Sequence, residues 1–150
     1  MREAIALSIE KMEAGEGGPF GAVVVKDGAV VGRGWNRVTS SNDPTAHAEM
    51  MAIRDACSTL GTFDLAGCEL YASCEPCPMC LAAIYWARLD KLYYSAGRAD
   101  AAGAGFDDEL IYGEISKPWK NRQLPAEQVM QAEAQKAFDA WKAKTDRTAY

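Results

Sequence analysis

Histidine is nearly missing from this chain: 150 residues contain one, His47. A metal held by three imidazoles and an acid–base pair of two histidines are therefore both excluded. Excess positive charge is missing too. The net charge is −5 and the isoelectric point lies near 4.9, whereas a nucleic-acid binder generally carries a basic stripe. The late cations Lys136, Lys142, Lys144 and Arg147 are interspersed with Glu and Asp, which reads as a solvated helix face. No apolar run approaches the ~18 residues of a membrane span. The opening stretch Met1–Glu10 is broken by charge and followed by no small-residue cleavage site. No signal peptide is expected there, and the expected location is cytoplasmic, with neither membrane nor nucleic acid as a partner. Repeats, low-complexity tracts and linkers are absent as well. A chain of this length suits one domain, expected to span residues 1–150.

What is present is an ordinary globular composition, 49% hydrophobic and 25% charged, with five cysteines. Cys74, Cys77 and Cys80 are too close together for a secreted disulfide framework, and metal-bound thiols are the better reading. The single histidine sits in Pro44-Thr45-Ala46-His47-Ala48-Glu49, and Pro76-Cys77-Pro78-Met79-Cys80 follows about thirty positions on. H-x-E followed by P-C-x-x-C is the known signature of the zinc nucleobase deaminases. Its chemistry is sound: His47, Cys77 and Cys80 give three ligands and leave a fourth position open, as a catalytic zinc requires. Two thiolates neutralise the ion and keep a bound water less acidic than three imidazoles would, so a nearby base is needed. Glu49 is the obvious one.

The chain reads as a helix over 2–14, a hairpin of strands 20–26 and 29–35 turning at Asp27-Gly28, a helix near 46–60, a strand 69–73, a helix 77–87 and a strand 91–96. A Gly/Ala/Asp loop follows Gly97, then a short helix near 107–115 and an amphipathic helix near 126–143. This order implies a mixed sheet covered by helices. Both halves of the metal motif then fall at helix N-termini beside strand ends, where the helix dipole favours thiolate over thiol. Cys77 and Cys80 share one helix face. His47 and Glu49, two apart, would diverge on a mid-helix, but both can reach a cavity from a first turn.

Each feature has a plainer reading. Cys74 extends the motif to C-x-x-C-x-x-C and is an alternative ligand, although it falls at a strand end. A structural Cys3His zinc using it would leave Glu49 unexplained. Cys57 and Cys68 look like small buried hydrophobes. Trp86 is either core or the wall of a ligand site. Glycines around Phe20 point to close approach of something flat or to a tight strand entry. Asn36 ends a strand, where its amide aims at a ligand edge or caps a turn. Asp107-Asp108 would ordinarily be helix-start charge.

Taken together, Gly17-Gly18-Pro19-Phe20-Gly21-Ala22, the segment Ser41–Glu49, the segment Ser73–Cys80, Ala83–Arg88, Ala104-Gly105-Phe106-Asp107-Asp108 and a terminal Tyr150 resemble the bacterial guanine deaminases, a family of the cytidine-deaminase-like fold. The resemblance runs from Gly17 to Tyr150 and is weak between Asn121 and Arg147. It implies a three-layer α/β/α sandwich on a mixed sheet of about five strands. It also implies one Zn²⁺ per chain on His47, Cys77 and Cys80, with Glu49 as proton shuttle. Substrate contacts fall to Phe20, Asn36, Ala48, Glu75, Trp86, Asp108 and Tyr150. The Glu75 carbonyl, just before Pro76, is expected to accept a hydrogen bond from the leaving amine. The implied protein is a homodimer in purine metabolism whose C-terminal segment, about 126–150, reaches onto the partner.

The expected reaction is hydrolysis of guanine to xanthine and ammonia. A carboxylate at Asp108 suits guanine's N–H edge and an amide at Asn36 its acceptor edge. Adenine would leave Asp108 facing an acceptor, and a buried unpaired group costs ~1–3 kcal/mol. Rivals are a tRNA adenosine deaminase, which shares DPTAHAE and EPCPMC but would need a cationic surface, a cytidine, cytosine or aminotriazine deaminase, and a non-catalytic zinc module.

Overall fold

A computed structural model describes residues 1–149. The chain divides into two compact units, Met1–Glu109 and Leu110–Tyr150. The first begins with helix α1 (Arg2–Glu13), which has Glu3 in its first turn and Lys11 in its last, as the helix dipole favours. Strands β1 (Gly21–Lys26) and β2 (Ala29–Trp35) form a hairpin. Its two-residue turn puts both Asp27 (φ 50°) and Gly28 (φ 79°) in the left-handed region that such turns demand. A four-residue helix α2 (Val38–Ser41) precedes α3 (Ala48–Leu60). Then come β3 (Cys68–Cys74), α4 (Pro78–Trp86), β4 (Lys91–Ala96) and α5 (Arg98–Gly103).

Among the described residues the sheet has four strands in the order β2-β1-β3-β4. β1 runs antiparallel to β2 and β3, while β3 and β4 are parallel and joined through α4. The sheet is thus mixed, as expected, with four strands where about five were expected. The stretch after β4, read from sequence as a loop, goes helical at once. The Gly97 N–H donates to the Asp100 carboxylate at 2.8 Å and starts α5 on its alanines.

Two glycines show how the layers stack. A Cβ on Gly21 would lie 2.2 Å from the Ala4 carbonyl oxygen of α1, and one on Gly34 would lie 2.1 Å from the Ala48 oxygen of α3. Gly34 pairs with Ala22, and neighbours along a strand face opposite ways. α1 and α3 therefore cover opposite faces, giving the three-layer α/β/α arrangement. Ile84 and Ala87 at the end of α4 join Ala22, Val24, Ala48 and Ala52 in one core, so α4 lies on the α3 side. Half of that core's buried residues are alanine, which lets α3 seat closely on β2. Leu65 and Leu70, both fully buried, each contribute about 1.5–3 kcal/mol.

Helix α6 (Glu109–Ile115) leads into the second unit, which contains a 3-10 turn (Trp119–Asn121) and α7 (Gln131–Ala143). The Arg122 guanidinium stacks 3.9 Å from the centre of the Trp119 ring. Phe138 and Trp141 on α7 are exposed. No helix among the described residues is long and apolar enough to cross a membrane.

Candidate metal and catalytic site

The site is assembled at two helix starts. Asp43 accepts hydrogen bonds from the Thr45 N–H (2.8 Å) and hydroxyl (2.7 Å), and the His47 N–H donates to the Thr45 carbonyl at 2.8 Å. This tight turn delivers His47 as the extended N-cap of α3. Cys77 is the N-cap of α4, Pro78 opens that helix without wasting an N–H, and Cys80 follows in its first turn. His47 Nδ1 lies 3.5 Å from Cys77 Sγ and 3.6 Å from Cys80 Sγ.

Those distances test the donor set. A tetrahedral ion with Zn–S ~2.3 Å and Zn–N ~2.05 Å separates neighbouring S and N ligands by about 3.6 Å. His47, Cys77 and Cys80, the group found among the described residues, already stand at that spacing, with all ligand atoms within 4.8 Å. Cys74 is not in the group. It is buried at the end of β3, with its sulfur 3.8 Å from the Gly97 carbonyl oxygen. A nitrogen and two sulfurs are the donors a borderline-soft cation such as zinc prefers.

The electrostatics agree. Cys77 is pushed down to about 4, first by a hydrogen bond from Cys80 and further by His47. Cys80 moves strongly upward, chiefly because its hydrogen bond to Cys77 keeps it the protonated member, with burial adding to this. A bound dication would favour the thiolate form of both sulfurs. His47 is raised, first by Cys77. Glu49, on the first turn of α3 and only 7% exposed, is raised mainly by burial, with Cys77 adding repulsion and a contact to Cys80 opposing it. Its carboxyl is thus held above the ordinary carboxylate range, the direction that suits a proton carrier.

The other expected residues are distributed around the same unit. Ala48 is buried beside His47. Asn36 is buried, and its Oδ1 accepts from the N–H groups of Gly18 and Val38, both at 3.2 Å. The half-buried Phe20 meets Phe106 edge-on, with ring centres 4.9 Å apart. Both rings wall a cavity of about 350 Å³ that also touches Ile5, Ser8 and Ala96, and neither the three metal ligands nor Glu49 lines it. Trp86 is 67% exposed, which removes the core reading. Asp107 accepts from the Glu109 N–H (2.9 Å) as ordinary helix-start charge, whereas the Asp108 carboxylate pairs with Arg98 Nε at 3.2 Å. The Arg98 N–H also donates to the Glu75 carboxylate at 3.3 Å. Arg98 thus ties together two expected contact residues, and an arginine after a glycine carries no motif that marks it in the sequence. Tyr150 lies outside the described residues.

Residues 1–96 match the family model for the cytidine and deoxycytidylate deaminase zinc-binding region. The chain is 54% identical over 150 residues to guanine deaminase of Bacillus subtilis (strain 168), covering all of this chain and 96% of that protein. The crystal structure of guanine deaminase from Bacillus subtilis superposes with a TM-score of 0.97, covering 99% and 95% of the two chains. A guanine deaminase from Nitrosomonas europaea is 34% identical with a TM-score of 0.68, covering 72% of this chain and 63% of that one. The tRNA-specific adenosine deaminase of Aquifex aeolicus is 49% identical over 78 residues, 52% of each chain. The spacing of the three ligands, the buried carboxyl beside them and these likenesses agree: the chain belongs to the zinc-binding cytidine and deoxycytidylate deaminase family.

Proposed function

We infer that this protein is a zinc-dependent guanine deaminase, converting guanine and water to xanthine and ammonia. The observation that carries the reading is the 54% identity to a guanine deaminase over the whole chain, against a match of only about half the chain to a tRNA adenosine deaminase. The net charge of −5 also speaks against a polyanionic substrate.

His47, Cys77 and Cys80 would hold the ion, which when bound supplies Lewis-acid chemistry that acidifies water. Glu49 takes a proton from the attacking water as its oxygen bonds to C2 of the base. Glu49 then delivers that proton to the adjacent ring nitrogen. A second proton, from the new hydroxyl, passes through Glu49 to the amine as the C2–N bond breaks and ammonia leaves. Burial of Glu49 keeps solvent from short-circuiting these transfers. Phe20, Asn36, Ala48, Trp86 and Asp108 are the proposed walls and edges for the base, and the Glu75 carbonyl receives the leaving amine.

The reading extends to a cytoplasmic homodimer whose single catalytic domain lends its C-terminal segment, ending at Tyr150, to the partner's site. The exposed Phe138 and Trp141 support it, since an amphipathic helix needs a surface to cover. Ammonia release from guanine, abolished by a chelator and restored by zinc, tests the enzyme. Mixing a tail deletion with Glu49→Gln tests the swap. Verified heterodimers should regain activity, because one site then combines an intact Glu49 with an intact tail. No rescue would place the tail over its own subunit's site or none.

A further inference from the structure

The loop Gly15–Pro19 is not used by the chemistry above, yet it is bonded to both sides of Asn36. Glu16 is its anchor. One carboxylate oxygen accepts from the Trp35 indole N–H at 2.7 Å and the other from Lys11 Nζ at 3.3 Å. Lys11 Nζ also sits 4.6 Å from the centre of the Trp35 ring. The Glu16 carbonyl accepts from the Ser40 hydroxyl at 2.6 Å. The residue before Asn36 and a residue four beyond it are thus held by one glutamate. Gly17 then passes so close that a Cβ there would lie 2.0 Å from the Asn36 carbonyl oxygen and 2.8 Å from its Oδ1. The close approach expected of something flat near these glycines is made by the protein's own backbone. Gly18 closes the loop by donating to Asn36 Oδ1, while the Asn36 N–H donates to the Phe20 carbonyl at 3.0 Å.

We propose that Glu16 and Gly17 are positioning residues that fix which end of the Asn36 amide faces the base, and so set preference for a base with an oxygen acceptor at C6. The two groups on Asn36 Oδ1 are main-chain N–H donors, which cannot become acceptors. A flipped amide would set its NH2 against two donors. Oδ1 is therefore committed to the protein, and Nδ2 is the end left to donate outward. Guanine carries an oxygen at C6 that can accept from it. 2-Aminopurine has the same amine at C2 and no such oxygen. This inference rests on the guanine reading.

The test compares Glu16→Ala, Glu16→Gln and Gly17→Ala in the zinc-loaded protein. Loosening one neutral hydrogen bond to substrate costs about tenfold. KM for guanine should rise by about that factor in Glu16→Ala and Gly17→Ala, with kcat within about threefold and zinc content unchanged. Affinity for 2-aminopurine, measured as inhibition, should hardly move, so discrimination between the two bases shrinks. Glu16→Gln keeps an acceptor for the Trp35 indole and should stay near the parent protein. An unchanged KM, or equal weakening for both bases, would overturn the proposal. A second readout needs no substrate. In ¹⁵N-labelled protein the Asn36 side-chain NH2 resonances, assigned through Asn36→Asp, should move in Glu16→Ala and not in Glu16→Gln. Their failure to move sinks the clamp; their moving in a protein that does not turn over guanine sinks the guanine reading alone.

Discussion

Replacing Glu49 by glutamine separates chemistry from structure. The two side chains have the same size, so nothing in the packing of α3 against the core changes. The carboxyl is 7% exposed and is raised above its ordinary value mainly by desolvation. A raised carboxyl binds more protons folded than unfolded, so it costs stability, increasingly as pH rises from the unfolded value through the folded one. The amide carries no such cost. Metal-free Glu49→Gln should therefore be at least as stable as the parent at neutral pH, by thermal denaturation. Activity should move the other way. A general acid–base contributes roughly 10²–10⁴-fold, about 3–5.5 kcal/mol of barrier, and burial leaves little bulk water to substitute. Xanthine formation should fall by at least 10²-fold with metal content unchanged. A variant that retains more than about a tenth of the parent rate would refute the shuttle role. Loss of zinc or of stability would refute the reasoning about burial.

His47→Ala, Cys77→Ala and Cys80→Ala should each bind less than one zinc per chain by elemental analysis, whereas Cys74→Ser should keep its metal; the reverse for Cys74 would redraw the ligand set. Gly34→Ala places a Cβ 2.1 Å from the Ala48 carbonyl oxygen, so α3 must shift. Overpacking of this kind costs about 1–3 kcal/mol, read as a lower denaturation midpoint, and weaker zinc retention should accompany it because α3 begins at His47 and carries Glu49 on its first turn.

Much of this was readable in the chain because it is local. β2 and β4 span Ala29–Trp35 and Lys91–Ala96, as their apolar runs and flanking turns predict. The starts of α3 and α4 follow from cap and proline chemistry, and with them the convergence of His47, Cys77 and Cys80. What was missed is either too short to signal or made between distant residues. α2 has four residues. α5 reads as loop in the sequence because Ala, Asp and Gly mix there, and its start depends on the Gly97–Asp100 contact. The pairing of Asp108 with Arg98 and the close approach of Gly17 to Asn36 have no periodicity or motif behind them. They arise only when β2, the loop after α1 and the end of β4 have taken their places.

The central claim is most directly tested by kcat/KM of the zinc-loaded protein for guanine, adenine, cytosine, cytidine and an adenosine-34 tRNA, each followed as ammonia released. Guanine should lead the panel, with xanthine as product and with activity lost to a chelator and regained with zinc. A preference for cytidine or for tRNA would contradict it.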